Sequence, residues 1–144
     1  MPGATPDERI AEALYAHLGT LVLPGGVSVV YPNNVYPTRG EEIVPPLLVV
    51  TLDTNSPVRR RISGGSGSQF SGTLQVAVLR VVGEGPDPSD QLAGLVVAHF
   101  PEDLVLSSGT TRVRIPVAPH VAGGYEDRSC WRTPVNIPYQ TLSI

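Results

Sequence analysis

The sequence predicts an α+β layer fold: a mainly antiparallel sheet of about four to six strands, with room for mixed pairing, and two helices packed on one face. Three observations predict it. Two segments open with the same helix-starting chemistry, a cap, a Pro and then an acid, and continue with apolar residues at helical spacing. The other segments are short, β-branched runs bounded by Pro, Gly and Asn. Their connections are short, which favours hairpins over crossover units.

Thr5-Pro6-Asp7-Glu8 outlines a capping box. Ile10, Ala13, Leu14, His17, Leu18 and Leu21 follow at helical spacing, and Pro24-Gly25-Gly26 ends the unit. Val27 to Tyr31 reads as a strand, and Pro32-Asn33-Asn34 as a turn. Residues 35–46 hold prolines without a period and read as an ordered, irregular connection. Leu47 to Leu52 is a short apolar run behind Pro45-Pro46, a buried strand. Phe70 to Val82 is the longest strand candidate. One face carries Phe70, Gly72, Leu74, Val76, Val78 and Val82, interrupted by Arg80. The other starts polar at Ser71, Thr73 and Gln75 and turns apolar at Ala77, Leu79 and Val81, as in a strand leaving solvent for a covered region. Asp87-Pro88-Ser89-Asp90 starts a second helix through Leu92, Leu95, Val96 and His99, stopped by Pro101. Thr111 to Val117 alternates as a strand with one wet face. Ser129 to Thr141 reads as a last strand, which Pro134 and Pro138 assign to an edge or a bulge.

The 144 residues make one domain, 1–144, the default, with a flexible loop at about 54–69. Charged residues are 16% of the chain, well under the usual value of about 25%. All ten basic residues are Arg, and the net charge is −3, which argues against nucleic acid as the main partner. No apolar run approaches about 20 residues, so no membrane partner is expected. Met1 to Asp7 lacks the basic start and apolar stretch of a signal peptide. The single Cys130 excludes an internal disulfide and fits assembly in a reducing cytosol.

Catalytic patterns fail one by one. Gly64-Gly65-Ser66-Gly67-Ser68 does not fit a nucleophile elbow and lacks its strand and helix. There is no lysine to complete a P-loop, and Pro88 stands where a dinucleotide fingerprint needs its third glycine. His17, His99, His120 and Cys130 lack zinc-ligand spacing, and His17 and His99 read as satisfied boundary residues of two helices. The carboxylate pairs Glu41-Glu42, Glu102-Asp103 and Glu126-Asp127 read as solvated turns. No enzyme, cofactor or metal is expected. Trp131 and Tyr139 read as core rather than as interface anchors.

Arg59-Arg60-Arg61 is the one concentrated charge. Two readings stand beside each other: a solvated strand end that guards a sheet edge, or a docking arm whose guanidiniums pair with a partner's carboxylates beside the Gly/Ser segment. The candidate contact residues for a partner or a ring neighbour are Arg59, Arg60, Arg61, Gly64, Gly65, Ser66, Gly67 and Ser68.

Taken in order, several pieces resemble the tail terminator (tail tube completion) proteins of long-tailed bacteriophages and gene-transfer particles. They are the helix Asp7–Leu18, the strand Pro46-Leu47-Leu48-Val49-Val50-Thr51-Leu52, and Phe70-Ser71-Gly72-Thr73-Leu74-Gln75-Val76 after a variable loop. A helix ending in His99-Phe100-Pro101, the strand Thr111-Arg112-Val113-Arg114-Ile115 and Trp131 to Tyr139 complete the set. The resemblance implies a structural protein without catalytic residues. It implies a homo-hexameric ring on the head-proximal end of the tail tube, which stops tube growth and offers the head connector a docking surface. The implied partners are the chain itself, the tail tube protein and the head-tail connector or stopper. DNA would pass through the channel without specific binding. The implied location is the virion tail or neck, with assembly in the host cytoplasm. Two alternatives remain at this point: a head-tail stopper or adaptor of the neck, and a monomeric ligand- or peptide-binding module using an exposed strand edge.

Overall fold

The structure, a computed structural model, describes residues 6–24, 27–32, 38–39, 42–43, 46–54, 58–59, 68–83, 85, 87–109, 111–127 and 130–141. In chain order the elements are α1 (Pro6–Gly19), β1 (Ser28–Val30), β2 (Thr38–Arg39), β3 (Glu42–Ile43), β4 (Leu47–Thr54), β5 (Val58–Arg59), β6 (Ser68–Gln69) and β7 (Ser71–Val81). Then come α2 (Asp87–His99), β8 (Val105–Ser108), β9 (Thr111–Arg114), β10 (His120–Val121), β11 (Tyr125–Asp127) and β12 (Cys130–Thr141). No helix among the described residues is long and apolar enough to cross a membrane.

Among the described residues eight strands join one sheet, in the path β1-β4-β7-β12-β9-β8, with β10 and β11 also paired to β12. Its pairs are antiparallel except β1 with β4, so the sheet is mixed. The expected α+β class stands. The stretch read as an irregular connection contains a short antiparallel pair, β2 with β3.

The reading of the last strand as an edge or bulge needs correction. β12 is central, in unbroken register with β7 from Cys130↔Val81 to Gln140↔Ser71. The prolines fit because alternate residues of a strand turn their backbone polar groups to opposite sides. The Thr141 N–H donates towards β7, to the Phe70 carbonyl at 2.8 Å, whereas the Pro134 carbonyl accepts from Ala122 N–H at 2.9 Å on the opposite edge. Even-numbered residues of β12 therefore face away from β7, and both proline nitrogens with them. Pro138 falls between the stretch paired with β10, Val135–Asn136, and the stretch paired with β9, Gln140–Thr141. A missing donor costs little where no described strand asks for one.

Both helices cover one face. Ile10, Ala13, Leu14 and Leu18 of α1 and Leu92, Ala93 and Val96 of α2 meet Leu48, Val50, Leu74, Val76, Val78, Val113, Ile115, Val135, Ile137 and Tyr139. Fully burying one such aliphatic side chain is worth roughly 1.5–3 kcal/mol. The buried stripe of α2 runs through Ala93 instead of the expected Leu95, which is 37% exposed. The opposite sheet face changes along its length as the alternation of β7 requires. Thr73 and Gln75 are half-exposed, while Ala77 and Leu79 are buried with Val30, Leu47, Val49 and Cys130. Tyr139 is core, and Trp131 is half-buried, its indole lying where a Cβ on Gly124 would be.

Two outcomes follow from this packing. A Cβ on Gly94 would meet nothing within 4 Å on the exposed side of α2. Gly94→Ala should therefore stabilise the fold by up to about 1 kcal/mol, read as a raised thermal midpoint. Tyr15 stands edge-on to Tyr31 with ring centroids 5.3 Å apart. Burial first, and the neighbouring Tyr31 second, push the Tyr15 phenol up from its ordinary value. The unfolded chain then ionises more readily, so stability should fall as pH rises above about 10, and Tyr15→Phe should make that fall shallower in alkaline denaturation.

Candidate functional site

The eight residues singled out by the sequence lie between β4 and β7. The structure brings two of them together: Arg59 of β5 pairs with Ser68 of β6, next to Val58↔Gln69. Arg60, Arg61, Gly64, Gly65, Ser66 and Gly67 lie outside the described residues. The β5–β6 pair is a separate two-stranded sheet that lies between β4 and β7 in the chain. Thr54↔Gly72 is the last pair of the hairpin.

The root of this arm is fixed. Phe70 N–H donates to the Thr141 hydroxyl oxygen at 2.9 Å, the Thr141 hydroxyl donates to the Phe70 carbonyl at 3.3 Å, and the Thr141 N–H reaches the same carbonyl at 2.8 Å. Thr141 is buried, and the Phe70 ring packs on the main core. One step further, a Cβ on Gly72 would run into the Asp53 carbonyl oxygen and stand 2.8 Å from the Tyr139 hydroxyl and 3.0 Å from the Thr54 Cα. Only glycine lets β4 and β12 approach β7 this closely. Sequence reasoning marked the arm but not its clamp, because nothing near Thr141 in the chain signals a partner 71 positions away.

The titratable residues weighed for metal binding are distributed differently. His17 and His99 meet where α1 and α2 end, their rings stacked at 4.1 Å and both edge-on to Phe100. Each Nε2 lies 2.6 Å from the other residue's main-chain carbonyl oxygen. A carbonyl only accepts, so each imidazole carries hydrogen on Nε2 and donates it. The two rings thus cap the carbonyls left over at two helix C-termini. The Thr20 hydroxyl also donates to the His17 carbonyl, at 2.6 Å. His120 lies on β10 and Cys130 is buried on β12. Among the described residues no group of three or more His, Cys, Asp or Glu is placed to hold a metal ion. Asp103, one of the carboxylates read as a solvated turn, has φ of 69° and binds Arg114, its Oδ1 accepting from Nε at 3.1 Å.

The described part of the arm is a short ribbon, Val58–Arg59 with Ser68–Gln69, followed directly by the Phe70–Thr141 clamp. The comparisons agree with a structural part. The family model described as phage tail terminator protein matches residues 9–139. A solved structure 23% identical in sequence superposes with a TM-score of 0.72 over 97% of each chain, a likeness of fold. No curated protein gives a significant match.

The clamp is directly testable. Thr141→Val keeps the shape but removes the acceptor of Phe70 N–H. It should cost about 1–2 kcal/mol and speed hydrogen exchange at the Phe70 amide, while core amides of β7 exchange as before.

Proposed function

Because the chain belongs to the phage tail terminator protein family, we propose that this structural tail protein forms a ring on the head-proximal end of the tail tube. The ring ends tube polymerisation and gives the head connector a surface to dock on. The observation that carries this reading is the family match over residues 9–139. The composition supports it: a charged fraction of 16% suits a chain that commits much of its surface to subunit contacts.

The arm from Arg59 to Ser68 is the part that meets a tube subunit or the neighbouring copy. Guanidiniums pair with carboxylates in two-point contacts that a flexible lysine does not reproduce. Its Gly- and Ser-rich composition suits a partner met once, during assembly, to whose surface the arm must adapt. The ring itself needs two unlike surfaces on each copy, since a head-to-tail contact closes only by repeating one rotation. DNA crosses the channel without being held, in keeping with a net charge of −3.

The decisive variants change Arg59, Arg60 and Arg61 to Ala, or delete Ser63–Ser68. Both should fold with an unchanged thermal midpoint, because the Phe70–Thr141 clamp lies outside them. Complementation should then yield no joined particles. Tails of normal length on joined heads would sink the arm assignment. Co-purification with the portal side in place of the tube would make the protein a stopper of the neck.

A further inference from the structure

The two end strands of the sheet are unlike, and neither carries a charged residue of its own. At one end stands β8, whose flank runs from Asp103 to Arg112 without an Asp, Glu, Lys or Arg between them. At the other stands β1, in a stretch that holds none of these residues from Ala13 to Thr38. Among the described residues no strand pairs with the outer side of either. Exposed edges of soluble proteins are ordinarily blunted by charges, prolines or bulges, because their free N–H and C=O groups recruit other strands. The charges that reach this end from elsewhere are engaged: Glu12 of α1 accepts from the Ser108 hydroxyl at 2.9 Å, Arg9 donates to the Thr111 hydroxyl at 2.7 Å, and Asp103 is tied to Arg114. Apolar side chains add to the picture: Val105 is 48% exposed on β8, and Val22 is 86% exposed in the segment leading to β1.

The backbone groups that face outward can be named. Ile115 N–H donates to the Leu104 carbonyl at 2.9 Å, so Leu104 faces β9. Alternation then turns Leu106 inward and Val105 and Ser107 outward. At the other end Ser28 N–H donates to the Pro46 carbonyl at 3.4 Å. Ser28 and Val30 therefore face β4, and Val29 faces out. Strand directions follow from the pairing. β4 runs with β1, β7 against it, β12 with it, β9 against it and β8 with it.

We propose that the ring closes by main-chain pairing of the β8 edge of one copy, through Val105 and Ser107, with the β1 edge of the next, through Val29. The occupant of each edge is a second copy of this chain. Because β8 and β1 run the same way, a rotation about one axis joins them as parallel neighbours. It keeps the helices of every copy on the same side of a continuous sheet. It is also a heterologous contact, the kind that closes into rings. An isologous pairing of β8 with β8 would leave β1 bare and stop at a dimer. The proposal rests on the ring reading above and specifies its interface.

The test uses the full chain, alone and with tube protein, by native mass and negative-stain imaging. Ser107→Pro removes an outward donor without touching the β8–β9 ladder, and Ser107→Lys adds the missing guard. A Val29→Cys/Ser107→Cys double variant is treated with a short bis-maleimide. The expected result is rings from the wild-type chain and folded monomers, with native circular dichroism, from both Ser107 variants. The double variant should give a cross-linked ladder up to the full ring. Wild-type rings that persist in both Ser107 variants, with no ladder, would overturn the edge pairing and leave the ring reading standing. Dimers cross-linked through Ser107→Cys alone would overturn it in favour of isologous pairing. A wild-type chain that forms no ring even on tubes would overturn both readings together.

Discussion

The eleven consecutive partners that join β7 to β12 hold the rest of the molecule in place. Each strand of this ribbon has one further edge. The edge of β7 takes β4, and through it β1. The edge of β12 takes β11, β10 and β9 in turn, and through β9 the edge strand β8. On its helix-covered face the ribbon supplies Leu74, Val76, Val78, Val135, Ile137 and Tyr139, all buried, and these are the residues α1 and α2 pack against. A slip of one residue would turn a whole strand's set to the other face, so burial and register enforce each other. The prolines of β12 belong to the same constraint. At even positions they leave the β7 ladder whole and thin out only the far edge.

Much of this was legible because strand alternation is a strong signal when one face is buried. The polar-to-apolar change along the second face of β7 appears in the sequence at Gln75 and Ala77, and the structure places the change in burial there. The helix starts were equally readable, since a Pro at the first helical position has few other uses. The error over Pro134 and Pro138 came from treating proline as a property of a strand when it is a property of one edge. Their spacing of four, an even number, held the answer, since it puts both rings on one side. Other features had no local signal. β10 and β11 are two and three residues long, too short for any period. The stacking of His17 on His99 depends on where two helices end in space. The clamp of Thr141 on Phe70 depends on a chain reversal the sequence does not mark.

Of the candidate site, the sequence showed the chemistry and the structure showed the seat. For the proposed docking role, the base of the arm must stay in place, since looseness at the base is multiplied along a ribbon. The base here carries the closest backbone approaches, at Gly72, and a side chain that both donates to and accepts from one residue, at Thr141. The proposed arm thus starts from the point where β4, β7 and β12 converge.

The placement of charge ties the arm to the sheet ends. With 23 charged residues among 144, absence of charge is informative only where it is clustered, and along the chain it clusters in the segments that hold β1 and β8, the charges of α1 that reach β8 being engaged with Ser108 and Thr111. Charges instead gather on the arm, at the start of each helix and on the β9 face, where Arg114 is matched by Asp103. A monomer gains nothing from leaving its two end strands unpaired and without charges of their own, because an open edge invites aggregation. A ring gains in two ways. Each edge is covered once per copy by the unlike edge of a neighbour, and closure leaves none over. The same closure limits the contact to a fixed number of copies, so the strand chemistry that drives fibres in an open array ends in a finite body. On this argument the bare ends and the charged arm split the work of assembly. In the proposed ring the ends join copy to copy around the axis, and the arm addresses what lies along it.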